Sequence, residues 1–73
     1  INSLTMVCPI THTDRGNPFH LRLDERTKTD GVILCDQARM LDLNSRHASF
    51  VEKAPEDILF EAVDMITSFI EIK

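Results

Sequence analysis

The apolar run GVILCDQARMLDL, residues 31–43, is interrupted by Asp36, Gln37 and Arg39. Its first part, residues 31–35, is rich in β-branched and apolar side chains and predicts a buried strand. A strand end that presents an acid, an amide and a guanidinium to one side can form a site in which the carboxylate moves a proton and the guanidinium holds a phosphate. A turn with an internal ion pair explains the same spacing, so both interpretations stay open here.

Further strand signals lie on either side of this run. Residues 4–10 (LTMVCPI) form a continuous apolar segment that predicts a buried strand, with Pro9 at an edge or a break. Residues 19–25 alternate apolar and polar side chains, the period of a strand with one exposed face. Shorter strands are predicted at 38–43 and 49–53, and turns at 11–18 and 26–31.

The pattern changes to helical spacing from Ala54 onward. Pro55 suits the first helical position, and Glu56 and Asp57 complement the positive end of the helix dipole. The apolar residues then recur on one broad face, which comprises Ile58, Leu59, Ala62, Val63, Ile66, Phe69 and Ile70. Phe60 falls on the polar face, so we expect it to point away from the core, either as a lone exposed residue or as a protein contact.

The composition is that of one small globular domain. The 73 residues are 42% hydrophobic and 27% charged, and a single domain over residues 1–73 is expected. The sequence contains no apolar run of membrane-spanning length and no signal-peptide pattern, which predicts a cytoplasmic protein without a membrane partner. Cys8 and Cys35 lie in apolar runs without metal-ligand spacing, which favours buried reduced thiols.

The net charge of −4 is unevenly distributed. Basic and acidic side chains balance over residues 1–54, whereas the acids of residues 55–73 outnumber the single Lys73. The acidity therefore belongs to the C-terminal helix, and the composition is compatible with a locally basic surface for a polyanion elsewhere.

Three segments carry a resemblance to a known family. They are MVCPIT (6–11) before a polar loop, GVILCDQARMLDLNSR (31–46), and FVEKAPEDIL (50–59) before an amphipathic helix. Together they resemble the MazF/PemK toxins, the ribosome-independent mRNA interferases of bacterial toxin–antitoxin systems. The resemblance implies a mainly β fold with a C-terminal α-helix, a partial SH3-like small barrel of the CcdB/PemK type. It also implies a homodimer whose interface lies over the RNA-binding surface.

The resemblance further implies cleavage of single-stranded RNA through a 2',3'-cyclic phosphate, without a metal or other cofactor. Matching the motifs places the catalytic positions on Thr11, Asp36, Gln37 and Arg39. The acid is then the proton-transfer group, the threonine a phosphate or oxyanion donor, and the glutamine a hydrogen-bonding residue.

Further RNA-binding positions are expected outside this group. The resemblance places a phosphate-positioning arginine on Arg46. Thr13 and Arg15 line the polar loop after residue 11 and are candidates for phosphate binding, although such residues in a turn are more often simply solvated. The C-terminal peptide of a cognate antitoxin is the protein partner that the resemblance implies.

Two departures from the family pattern favour an alternative function. Some members carry a catalytic arginine two residues before the acid, where this chain has Leu34. The family's first strands, which carry a basic or histidine residue of the active site, have no counterpart before Ile1. The chain is therefore expected to be the C-terminal part of a toxin barrel plus its helix. The alternative is an inactive module that dimerises and binds an antitoxin; a gyrase poison of the related CcdB type ranks last.

The three histidines differ in their expected roles. His12, in the polar loop, is a candidate general acid or an ordinary surface histidine. His20 alternates onto the exposed face of its strand and His47 follows Arg46 in a turn, so both are predicted to be solvated.

Overall fold

The computed structural model describes residues 4–44 and 46–69. Its elements, in chain order, are β1 (Leu4–Val7), β2 (Ile10–Thr11), β3 (His20–Arg22), β4 (Val32–Leu34), a 3₁₀ turn (Cys35–Gln37), β5 (Arg39–Asp42) and α1 (Glu56–Phe69). The strands form two antiparallel sheets that do not close into a barrel within the described residues. The prediction of a mainly β fold with a C-terminal helix and a partial barrel is confirmed.

The apolar segment 4–10 forms two strands instead of the single buried strand that its composition predicts. Up to Val7 the chain pairs with β5, and from Ile10 onward it pairs with β4. The change of partner falls at Pro9, which has no N–H to donate but accepts a hydrogen bond from the backbone N–H of Leu34 (2.9 Å) through its carbonyl. The prediction of burial is also wrong for the first strand, since most of β1 is exposed.

Strand β4 lies in the centre of the second sheet, between β2 and β3. Its register places Ile33 opposite both Ile10 and Leu21, and Leu34 opposite His20. Gly31, which precedes β4, has a φ of +132° that side-chain-bearing residues rarely adopt. This backbone lets the start of β4 approach the carbonyl of Thr11 closely.

The core lies between β3, the 3₁₀ turn and the buried side of α1. It comprises Leu21, Leu23, Cys35, Ile58 and Ala62, with Ile33, Met65 and Ile66 packed against it. The alternation predicted for residues 19–25 is therefore confirmed at its two leucines.

The apolar face of α1 is only partly covered. Leu59 and Val63 remain 45% and 49% exposed, although the helical spacing predicts that both lie on the face that packs against the core. Phe60 is 62% exposed, as its position on the polar face predicts. Ile70 lies outside the described residues. The described part of the chain contains no helix with the length and apolarity that crossing a membrane requires.

The predicted strand at 49–53 is absent from the structure, which has an irregular segment there. Phe50 and Val51 are 82% and 76% exposed, so packing of their side chains does not stabilise a strand at these positions. Instead the Glu52 carboxylate accepts hydrogen bonds from the backbone N–H groups of Lys28 (3.0 Å) and Thr29 (2.6 Å). The segment is thus attached to the 26–31 turn through a side chain, and no strand ladder forms.

Arg26 connects that turn to the start of α1. We expect the fold to lose stability in acid, where the ion pairs of Arg26 are lost. The Arg26 guanidinium donates to Asp24 (2.7 Å) and Asp57 (2.9 Å), and the hydrogen bonds from Arg26 lower the pKa of both carboxyls. A carboxyl with a lowered folded-state pKa stabilises the fold above its ordinary pKa and loses that effect as the pH falls through the folded value. We therefore expect the unfolding temperature to fall between about pH 5 and about pH 2.

The comparison of wild type with Arg26→Gln tests this expectation by circular dichroism. The variant retains the other carboxyl interactions, such as that of Asp14 with Arg22, so its unfolding temperature should still fall with pH, but less steeply. Parallel curves for the two proteins would contradict a role for Arg26 in acid stability.

Candidate active site

The polar interruption of residues 31–43 forms the 3₁₀ turn and the first residue of β5. Cys35 has no exposed surface, so it anchors the turn in the core, while Asp36 and Gln37 on the same turn are exposed. Ala38 follows in an extended conformation (φ −64°, ψ 141°) and starts the chain toward β5. The buried side chain of Cys35 thus fixes the turn that carries the exposed side chains of Asp36 and Gln37.

Gln37 and Arg39 share an open cleft of about 540 Å³. The remaining lining residues come from the junction of β1 and β2 and from β5, namely Val7, Cys8, Pro9, Ala38 and Leu41. The β1–β5 register explains this arrangement, because it places Arg39 directly opposite Val7. The cleft therefore combines an apolar wall with an amide and a guanidinium.

Asp36 lies on the other side of the bend, in a neighbouring cleft of about 360 Å³. This second cleft is lined by Met6, Cys35, Asp36, Ala38, Ile66 and Phe69. Ala38 lines both clefts, so the two adjoin. Three of the four predicted catalytic side chains, Asp36, Gln37 and Arg39, are therefore gathered at two adjoining clefts.

The other predicted site residues lie elsewhere on the surface. Thr11 ends β2 opposite Val32, and its Oγ1 accepts a hydrogen bond from the backbone N–H of Thr13 (3.2 Å). Arg15 and Arg46 are exposed in a loop and a turn. In the described part of the chain, none of these four lines the cleft of Gln37 and Arg39. Their assignments stay predictions.

His20 is a site neighbour that sequence reasoning missed. Its side chain is only 11% exposed, and its Nε2 lies 3.2 Å from Oδ1 of Asp36, so the prediction that it is solvated is wrong. The cause is the β3–β4 register, which places His20 opposite Leu34 and next to the turn. His12 and His47 are exposed, in agreement with a surface position.

A family comparison matches residues 1–70 to the PemK-like, MazF-like toxins of type II toxin–antitoxin systems. The chain belongs to this toxin family. It is 30% identical to the endoribonuclease PemK of Escherichia coli over 74 aligned residues, which cover 96% of the chain and 56% of that relative. The chain thus spans little more than half the length of the curated relative.

Solved structures of family members share the fold. The MazF of Deinococcus radiodurans superposes with a TM-score of 0.89 at 34% identity, over 96% of this chain and 64% of that one. A MazE–MazF crystal structure from the same organism gives a TM-score of 0.87 at 35% identity, over 93% and 69% of the two chains.

The arginines of this toxin-family chain fall into two groups. Arg22 and Arg26 are bound to carboxylates, and the Asp14 side chain raises the pKa of the Arg22 guanidinium. Within residues 4–44 and 46–69, no ion pair joins a carboxylate to Arg15, Arg39 or Arg46. The arginines proposed for phosphate contact are thus the ones whose charge is not already neutralised.

Cys8 and Cys35 form no disulfide in this toxin-family fold; Cys35 is buried, as predicted, whereas Cys8 is only half-buried. Burial raises the pKa of Cys35 to about 11 and also raises that of Cys8. Cys35 is therefore a protonated packing residue at neutral pH, not a nucleophile. Among the described residues, no group of three or more His, Cys, Asp or Glu is arranged to hold a metal ion.

Proposed function

We propose that the protein is the toxin of a bacterial toxin–antitoxin system and cleaves single-stranded mRNA in the cytoplasm. The observation that carries the proposal is the gathering of Asp36, Gln37 and Arg39 at two adjoining clefts of a MazF/PemK-family fold. The similarity to a relative named as an endoribonuclease supports the same activity. The Asp36 carboxylate can serve as a proton acceptor and the Arg39 guanidinium as a positive charge, the two groups that phosphoryl transfer from a hydroxyl uses.

In the proposed reaction the 2'-oxygen of one nucleotide attacks the adjacent phosphorus. The Asp36 carboxylate takes the 2'-hydroxyl proton as the new oxygen–phosphorus bond forms. The bond from phosphorus to the 5'-oxygen breaks, and that oxygen takes a proton from solvent. The products are a 2',3'-cyclic phosphate and a 5'-hydroxyl end.

The remaining side chains bind and stabilise the phosphate. Arg39 places its positive charge beside the phosphorane, and Gln37, in the same cleft, hydrogen-bonds the RNA. Thr11 accepts from Thr13 through its Oγ1, which leaves the hydroxyl hydrogen to donate to a phosphate oxygen. We assign Thr13, Arg15 and Arg46 to RNA backbone contacts, which orient the strand without reading its sequence.

The proposed partners are a second copy of the toxin and the C-terminal peptide of a cognate antitoxin. The similarity to chains in MazE–MazF crystal structures supports the antitoxin. The β1–β5 pair exposes Leu4, Met6 and Met40, apolar side chains that are candidate contacts for either partner.

Leu34 favours a second candidate function, an inactive module that binds an antitoxin peptide. It is half-buried in β4 at the position where some family members carry an arginine, and leucine cannot stabilise a charged transition state. This candidate predicts a folded protein that binds an antitoxin peptide and leaves RNA intact.

The two functions are separated by incubating the full-length gene product with a single-stranded RNA in EDTA and analysing the product ends. The nuclease proposal expects cyclic-phosphate and 5'-hydroxyl ends, and no cleavage of the same sequence in duplex form. Intact RNA, or products with 5'-phosphate ends, would refute the proposed reaction, and intact RNA together with binding of an antitoxin peptide would favour the inactive module.

A further inference from the structure

His20 and Asp36 form a side-chain pair between β3 and the 3₁₀ turn. The histidine lies opposite Leu34, and the turn that follows β4 brings Asp36 within reach of the ring. The distance of 3.2 Å from Nε2 to Oδ1 is at the upper end of the hydrogen-bond range. The backbone N–H of His20 also donates to the carbonyl of Asn17 (3.0 Å), which holds the start of β3 in place.

The two members of the pair differ in exposure. The His20 side chain is 11% exposed, whereas the Asp36 side chain is 33% exposed and lines an open cleft. A substrate in that cleft therefore meets the carboxylate and not the imidazole. Any contribution of His20 to the reaction has to pass through Asp36.

The surroundings of the ring determine which nitrogen carries the proton. Nδ1 of His20 is buried and, among the described residues, meets no hydrogen-bonding group. A proton on Nδ1 would be a buried donor without an acceptor, which is costly. The Asp36 carboxylate can only accept, so the hydrogen bond between Nε2 and Oδ1 requires a proton on Nε2.

We propose that His20 is a positioning residue that holds the Asp36 carboxylate in the orientation for proton transfer, with Oδ1 bound and Oδ2 directed to the substrate. This inference rests on the proposed nuclease function. Among the described residues, His20 is the only side chain that hydrogen-bonds Asp36. A carboxylate fixed by one oxygen loses rotational freedom, and the other oxygen is then aligned before the substrate arrives.

The test compares three variants of the full-length gene product in RNA cleavage. His20→Gln retains an amide N–H near the position of Nε2, whereas His20→Asn is too short to reach Asp36 and His20→Leu has no donor. We expect the Asn and Leu variants to have a kcat about 10- to 100-fold below that of the wild type, with little change in KM. The Gln variant should keep most of the wild-type kcat. His47→Asn is the matched control, because His47 is exposed and Asn tolerates its φ of 53°.

Unfolding temperatures and ¹⁵N NMR of the ring separate positioning from a purely structural role. Each variant is assayed below its unfolding temperature, and the Asn variant replaces the Leu variant if the latter does not fold. The expected wild-type spectrum is that of a ring with a proton on Nε2.

Several results would overturn the inference. A wild-type kcat in the Asn variant, an effect on KM alone, or a ring whose only proton is on Nδ1 would each overturn it while the proposed function survives. Loss of activity in the Gln variant as large as in the Leu variant would also reject positioning through the N–H donor. An inactive wild type would instead overturn the proposed function, and the inference with it.

Discussion

Asp36→Asn in the full-length gene product is expected to lower kcat for RNA cleavage by about 10²- to 10⁴-fold, with little change in KM. Asparagine has nearly the same shape, and its Oδ1 can still accept the hydrogen bond from His20, so the fold should be preserved. The amide cannot take the 2'-hydroxyl proton, which is the role that the proposal gives the carboxylate. Steady-state kinetics on a single-stranded RNA measures both constants.

Asp64→Asn is the matched control for this prediction. It makes the same change of charge at an exposed position of α1 that lines neither cleft, and should leave kcat unchanged. Cleavage by Asp36→Asn at the wild-type rate would remove Asp36 from the mechanism.

In the same assay Arg39→Ala should lower kcat/KM strongly and leave a folded protein, because Arg39 is exposed and has no carboxylate partner among the described residues.

Gly31→Ala is expected to destabilise the fold by more than about 2 kcal/mol. The φ of +132° at Gly31 strains any side-chain-bearing residue, and an added Cβ would lie 2.5 Å from the carbonyl oxygen of Thr11 and 3.0 Å from Cγ2 of Ile10. One of the contacting atoms is backbone, so relief requires β2 to move away from β4. Urea unfolding followed by circular dichroism measures the loss of stability.

Gly16→Ala provides the comparison at a second glycine. Its φ is also positive, at +72°, but nothing lies within 4 Å of the added Cβ. Only the backbone strain applies there, and a cost of about 1 kcal/mol is expected. Equal losses in the two variants would mean that the close approach of β4 to Thr11 contributes nothing to stability.

The parts of the fold that sequence reasoning predicted are those with a strong local pattern. The alternation around Leu21 and the helical spacing after Pro55 each lie within one element, so no long-range contact is needed to identify them. The same holds for the candidate site at its centre, because Asp36, Gln37 and Arg39 are neighbours in sequence and remain neighbours around one turn.

The errors involve contacts between distant residues. His20 looked solvated because alternation reports only which face of a strand a residue occupies, and not that Asp36, 16 residues away, would cover that face. Residues 49–53 have strand propensity, but the hydrogen bonds of Glu52 to a distant turn replace the strand partner that the prediction required. The apolar segment 4–10 divides into two strands at Pro9 because the residues before it pair with β5 and those after it pair with β4, which the local sequence does not reveal.

If the protein binds RNA as proposed, the acidic helix α1 also limits the directions from which that RNA approaches. Glu56, Glu61 and Asp64 are exposed along it, and its sequence contains no basic residue. At physiological ionic strength their field extends about 8 Å into solvent, so a phosphate backbone is repelled from these three carboxylates before any contact forms. Under the proposed function, these charges favour encounters of the RNA with the surfaces that carry Arg15, Arg39 and Arg46.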